Sequence, residues 1–360
     1  MKQATKLPDN VIAAIFVHIY CGWGVLYLTK LIGGHLTHNS YWGLLVAMLI
    51  TLPFVASVAG LAKLFPGAGI NEIFGRVFGK AVGTVLGLVY LVHFLYFIAI
   101  HLRDGQIMVY TYFFQRTPFI LLIAFIMAGA LYVALHGLES VGRLAAFMLF
   151  PPFAVIFLLQ LIGLPNIDPV NLQPVFEGSW RDWLLSGTDL LVILLPATGI
   201  SAFLSFLPKP ESIKKITVYC WAMVIPLFLI NILGTVGTFG PGVIHRLNWA
   251  SVEYFHLIDY PFLLLEQTGL FFLIAWYPFT FVILAQGLFI GGNQLHSMFP
   301  GVKRHWFICA LALGILIVVN LPISLIGSER FFLRYQKVAV AIFLTLHLGT
   351  WLVARLRKRP

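Results

Sequence analysis

"HIYCGWGVLYLTK", residues 18–30, lies inside the first long apolar run of this chain. A glycine within a helix lowers helix propensity by about 1 kcal/mol relative to alanine. Unpaired peptide groups are also most costly inside a lipid bilayer, where water cannot satisfy them. The stretch Gly22-Trp23-Gly24 therefore predicts a helix that is interrupted for a functional reason. Close packing against another helix is the alternative, because small residues are common at helix contacts in membranes.

The composition around this stretch is typical of a polytopic α-helical membrane protein. Of the 360 residues, 60% are apolar and 10% are charged, whereas a soluble domain carries about 25% charged residues. Several apolar segments each cover most of the roughly 20 residues that a spanning helix needs. We expect one transmembrane domain with ten spans, at about 9–31, 40–62, 81–103, 118–136, 144–164, 183–207, 214–239, 266–291, 305–326 and 336–354.

The net charge of +10 follows the predicted topology. Most Lys and Arg residues lie in loops on the side of the N-terminus, and cytoplasmic loops carry such an excess. Both termini are therefore expected in the cytoplasm, and nucleic-acid binding is not indicated. Cys21, Cys220 and Cys309 lie in apolar segments without metal-type spacing. No metal site, cofactor or disulfide framework is expected from them.

A second interruption is predicted in the sixth span, at Pro196-Ala197-Thr198-Gly199. Proline removes a backbone donor and clashes with the preceding turn. Breaks at corresponding positions of two halves are typical of inverted-repeat transporters whose substrate binds near the bilayer midplane. We therefore predict a five-plus-five repeat with discontinuous helices 1 and 6. The first repeat covers about 9–164, and the second about 183–326, or to 354 with the last span.

Broken helices supply ligand-binding groups from the backbone. The amides around Gly22, Gly24 and Val25 are expected to bind the carboxylate of a zwitterion. Freed carbonyls at the sixth-span break would bind its ammonium. The candidate substrate-binding residues are Gly22, Trp23, Gly24, Val25, His93, Tyr96, Pro196, Ala197, Thr198, Gly199, Ser201 and Tyr277. For the aromatic members and His93, ordinary packing is the alternative.

Asp189 is the acid that these boundaries place well inside a span. An intramembrane acid is a functional hypothesis by default, here a titrating group or a partner for the ligand's ammonium. The alternative is a hydrated position near the outer interface, because Trp183 lies close in sequence. Ion coupling is not indicated, since the fifth span lacks Lys and Arg and the eighth lacks a Ser/Thr cluster.

Three segments carry a family resemblance: "FPGAGINEIFGRVFGK" (65–80), "GLESVGR" (137–143) and "PNID" (165–168). Together they resemble the spore germination permease family, the integral-membrane B subunits of nutrient germinant receptors. The similarity covers most of residues 8–330. It implies the ten-helix fold of the amino acid–polyamine–organocation transporter superfamily. It also implies the spore inner membrane and partner A and C subunits.

One departure concerns the family's sixth span, which often carries a Gly-Glu pair at its break. Here Thr198-Gly199 is followed by Ile200, so this carboxylate is missing. A different germinant or an acid placed elsewhere would each explain the difference, and Asp189 does not match the family position without a shift of register.

Two functions remain open from the sequence. The first is a sensing subunit that binds a small germinant, such as an amino acid, and signals with partner subunits. The second is a stand-alone amino acid permease that works by alternating access. An enzyme is disfavoured, because the sequence has no paired acids, H-E-x-x-H or G-x-S-x-G motif.

Overall fold

The fold is a bundle of apolar helices. The computed structural model describes residues 6–32, 38–258, 268–321 and 325–357, without the side chains of 195–198, 325–330 and 333. Every regular element within these ranges is a helix. Seven helices there are long and apolar enough to cross a membrane, or eight if one bent pair is a single span. The chain is therefore an integral, multi-pass membrane protein.

Each of the ten predicted spans overlaps at least one helix, although only seven or eight of the described helices are long and apolar enough to cross a membrane. In chain order they are α1 (Asp9–Leu31), α2 (Ser40–Leu64), α3 (Ile70–Phe78), α4 (Lys80–Tyr112), α5 (Phe119–Leu135), α6 (Leu138–Phe147), α7 (Phe150–Ile162), α8 (Trp180–Leu194), α9 (Ser212–Phe239), α10 (Pro241–Ile244), α11 (Ala250–His256), α12 (Thr268–Met298), α13 (Arg304–Val319) and α14 (Leu325–Leu356). A 3-10 helix, Leu195–Phe206, continues α8. The fourth and ninth predicted spans contain the short helices α5 and α13, of 17 and 16 residues.

The predicted interruption of the first span is wrong. α1 runs without a break through Gly22 and Gly24, so its interior amides are used by the helix itself. A methyl group built on Gly24 would lie 2.0 Å from Cζ of Phe228 in α9. One built on Gly22 would lie 2.7 Å from Cδ1 of Ile283 in α12. Both glycines are therefore explained by close helix packing.

The predicted interruption of the sixth span is confirmed. α8 ends at Leu194, and the axis bends by 43° between Trp180–Leu194 and Gly199–Phe206. Pro196 lies in the first turn of the 3-10 helix. Because proline has no N–H, it cannot continue the α-helical ladder to the carbonyl of Val192. Pro53, Pro226 and Pro278 lie inside continuous helices, so Pro196 permits this break but does not by itself require it.

The third span is longer than the predicted 81–103. α4 has 33 residues, about 50 Å at 1.5 Å per residue. Arg103 and Asp104, which set the predicted end, are 8% and 1% exposed and lie inside the bundle. The charged pair therefore belongs to the helix, and the boundary was placed too early.

The two longer connections behave differently. The connection 63–80 contains a short helix, α3. The aromatic residues of 240–265 favour a position along the outer interface, but Trp249 and Tyr254 are buried. The Tyr254 hydroxyl donates to the carbonyl of Gln160 in α7, at 3.0 Å. This part of the connection therefore packs into the bundle.

Candidate functional site

The first span packs directly on the interrupted sixth span. The rings of Phe16 in α1 and Phe203 in the 3-10 helix meet edge to face, with centroids 5.3 Å apart. A methyl group built on Gly199 would be 3.6 Å from Phe16 Cε1 and 3.7 Å from Cε2 of Phe94 in α4. The side chains of Pro196, Ala197 and Thr198 lie outside the described residues. The first and sixth spans, between which the ligand was predicted to bind, are therefore in contact beside the break.

Trp23 is the centre of an aromatic cluster. Its fully buried ring stacks on Tyr27 at 3.7 Å and contacts Phe97 of α4 at 4.9 Å between centroids. Phe332 of α14 meets it edge to face at 5.2 Å. The indole Nε1 is buried and has no hydrogen-bond partner among the described residues. Trp23 is thus held in place while its N–H donor is unused.

The other predicted residues of α1 and α12 pack against α4 or each other. The carbonyl of Gly22 accepts a hydrogen bond from Nε1 of Trp276, at 3.0 Å. The neighbouring Tyr277 donates to Oε1 of Gln106, also at 3.0 Å. Val25 is buried inside the continuous α1 helix. The predicted carboxylate-binding amides around Gly22 and Val25 are therefore not exposed by a helix break.

His93 and Tyr96 of α4 face α14. Nδ1 of His93 lies 3.0 Å from the hydroxyl of Tyr335. Tyr96 meets the same ring edge to face, with centroids 5.1 Å apart. α14 is thus a neighbour of the candidate residues, a contact that the sequence did not predict.

Ser201 takes part in a buried polar network that joins three spans. Its Oγ lies 2.9 Å from the hydroxyl of Tyr90 in α4 and 3.0 Å from Nε2 of His347 in α14. Nδ1 of His347 lies 2.7 Å from the carbonyl of Phe343. We assign the proton to Nδ1, so that Nε2 accepts from Ser201. The network connects the second half of the broken span to α4 and α14.

Asp189 forms an ion pair. Its Oδ1 lies 2.5 Å from Nζ of Lys337 in α14. The carboxylate side chain is 16% exposed and the lysine side chain 48% exposed. In this conformation α14 supplies the positive partner of the sixth-span acid, so its charge is already compensated.

Sequence reasoning missed Asp104. This carboxylate lies in the interior and accepts a hydrogen bond from the hydroxyl of Tyr27, which stacks on Trp23. A signal was present, because the apolar sequence resumes at 107–114 directly after the charged pair. Asp104 is therefore an acid outside the sixth span that lies beside the aromatic cluster around Trp23.

A cavity of about 730 Å³ lies beside the second half of the broken span, next to the N-terminal segment. Its wall combines Ala202 and Ser205 with Asn293 and Gln294 of α12. Lys6 also lines it, and its Nζ donates to the carbonyl of Ser205 at 2.9 Å. Ligand sites are typically clefts of about 300–1,000 Å³, so the volume is sufficient for an amino acid.

The family match and the individual relatives of this chain are all described as spore germination proteins. A family model described as "Spore germination protein" matches residues 6–324. Spore germination protein B2 of Bacillus subtilis (strain 168) is 21% identical over 328 residues, which cover 88% of this chain and 84% of the relative. Spore germination protein YndE of the same organism is 23% identical, covering 82% and 83%. Spore germination protein A2 is 25% identical, covering 83% and 82%.

Proposed function

Because this chain belongs to the family of spore germination proteins, we propose that it is the transporter-like subunit of a germinant receptor. In this proposal it binds an amino acid between α1 and the broken sixth span, and signals together with A and C subunits. Its ten spans form a five-plus-five repeat in the spore inner membrane, with both termini in the cytoplasm. The interrupted sixth span beside α1 is the observation that carries the proposal.

The break supplies a binding group for the ligand's ammonium. Pro196 has no N–H to offer, either to Val192 in an α-helix or to Ile193 in a 3-10 helix. The C-terminal end of α8 also carries a partial negative charge from the helix dipole. The backbone carbonyls of Val192 and Ile193, which lose the N–H of Pro196 as a donor, therefore favour a cation without any carboxylate at the family's position.

Trp23 takes the role that was predicted for the amides of the first span. Its buried Nε1–H is a donor without a partner among the residues described. Donors aimed at a carboxylate in a low-dielectric interior form strong, charge-assisted hydrogen bonds. A zwitterion would thus lie between the α8 end and the indole, and its binding would favour one of two conformations through differential affinity.

Replacing Trp23 with phenylalanine is expected to weaken amino acid binding by about 10-fold or more. The aromatic stack remains, but a hydrogen bond to a charged group, worth about 1.5–3 kcal/mol, is lost. The measurement is a thermal-shift and binding screen of the purified protein over the common L-amino acids. Trp306→Phe, at an exposed site on α13, is the control. If no amino acid binds the wild-type protein, the proposed function is wrong.

The cavity of about 730 Å³ favours a second function, a stand-alone permease. A path from the sixth-span break to this cavity would release a transported amino acid on the N-terminal side. Flux in liposomes separates the two functions. Saturable binding without flux supports the sensor, whereas uptake by the protein without partner subunits supports the permease.

A cysteine at Ser205 is expected to react with a membrane-impermeant maleimide added on the N-terminal side, because Ser205 lines the cavity. The background variant is Cys309→Ser, since Cys21 and Cys220 are buried. Ser57→Cys, at a buried position of α2, should not react. Equal labelling of the two introduced cysteines, or labelling of neither, would contradict an open cavity at this side.

A further inference from the structure

α14 forms a wall of the candidate site. Phe332 contacts Trp23, Tyr335 contacts His93, and His347 contacts Ser201. These three α14 residues are spread over four turns of one helix. The family match ends at residue 324 and α14 begins at Leu325, so the match does not include this wall.

Gln336 is a polar residue on the buried face of this wall, as are His347 and Thr350 farther along α14. It lies one turn after Phe332 on the same side of α14, since residues four apart share a helix face. The side chain is fully buried, and neither Oε1 nor Nε2 has a hydrogen-bond partner among the described residues. An unpaired buried polar group destabilises a protein. A glutamine that leaves both groups unpaired therefore calls for an explanation.

The surroundings of Gln336 on α14 are uncharged. Arg334 is exposed, and Lys337 is directed to Asp189. Gln336 can donate through Nε2 and accept through Oε1, but it carries no charge. The complementary chemical group is one that also both donates and accepts.

We propose that Gln336 determines the specificity of the site, by binding a carboxamide or hydroxyl group on the ligand's side chain. This inference rests on the proposed function, in which the α8 end and Trp23 bind the charged ends of an amino acid. Gln336 then pairs with the third polar part of the ligand. A site built to hydrogen-bond such a group rejects an apolar analogue strongly, because its own groups are left unpaired.

The test compares amino acids of similar size with and without an amide. We expect the wild-type protein to bind L-glutamine or L-asparagine at least 10-fold more tightly than L-methionine or L-leucine. Gln336→Leu should abolish this preference, by weakening amide binding about 10-fold while apolar binding stays or improves. Gln336→Met, which keeps the unbranched shape, should do the same if the leucine variant folds poorly. The melting temperature without ligand should stay or rise, because two unpaired polar atoms are removed.

Gln160→Leu is the matched control. Both amide atoms of Gln160 are also buried and without partners among the described residues. Gln160 lies near the end of α7, where its carbonyl contacts Tyr254, so its replacement should leave the ligand preference unchanged. If both Gln336 variants kept the wild-type preference for amide side chains, the inference about Gln336 would be wrong, while the proposed function would stand. A wild-type protein that prefers the apolar amino acids would also overturn that inference, and one that binds no amino acid would overturn the proposed function as well.

Discussion

Replacing Gly24 with leucine is expected to lower the stability of the whole bundle. Even a methyl group there would lie 2.0 Å from Phe228, well inside van der Waals contact. Overpacking of a tight interior commonly costs about 1–3 kcal/mol, and a side chain as large as leucine lies at or above that range. The measurement is the melting temperature of the detergent-purified protein, together with the amount inserted in the membrane.

Three further variants identify the cause. Gly24→Ala alone should destabilise the wild-type protein, but it should cost much less in a Phe228→Ala background, where the truncated ring leaves room for the methyl group. Gly314→Ala is the control, because a methyl group at Gly314 meets nothing within 4 Å. If Gly24→Leu kept normal stability and lost only its response to ligand, the packing explanation of the glycine would be wrong.

Glycine and proline led to different outcomes in the two stretches that were predicted to interrupt a helix. The prediction from proline is confirmed, and the prediction from the two glycines is wrong. Pro196 removes a donor in any environment, and the sixth span bends beside it as expected. Gly22 and Gly24 only lower helix propensity by about 1 kcal/mol each, which helix packing readily outweighs. A glycine in a helix is compatible with either a break or a close contact with another helix. At Gly22 and Gly24 the close contact is made with Ile283 and Phe228, which are far away in sequence.

The charged and polar residues show a similar limit. Glu139 and Arg143 form an ion pair at 2.6 Å, which their i,i+4 spacing on one helix makes predictable. His101 and His347 each contact a hydroxyl on a neighbouring helix, whereas Nδ1 of His18 lies 2.8 Å from the carbonyl of Ala14 in its own helix. Their partners were not predictable, since they depend on how the helices pack. The burial of Asp104 was missed for the same reason.

His347 is the position where the second large effect is expected. His347→Leu removes the acceptor of the Ser201 hydroxyl inside a fully buried network. Removing one partner of a buried hydrogen bond costs about 1–3 kcal/mol, so the melting temperature should fall. His347→Gln should recover part of the loss, because its amide oxygen can accept from Ser201. His136→Leu is the control: His136 makes the same bond to the carbonyl four residues earlier, but it is exposed.

A double-mutant cycle tests whether α14 acts on the broken span through this contact. Ser201→Ala should cost less in the His347→Leu background than in the wild-type protein, because the hydrogen bond is already absent there. The coupling should also appear in ligand binding, since Ser201 lies in the second half of the broken span and His347 is too far along α14 to touch the ligand at Trp23. Strictly additive effects on stability and on binding would mean that α14 and the sixth span respond independently, and that the network only fills space.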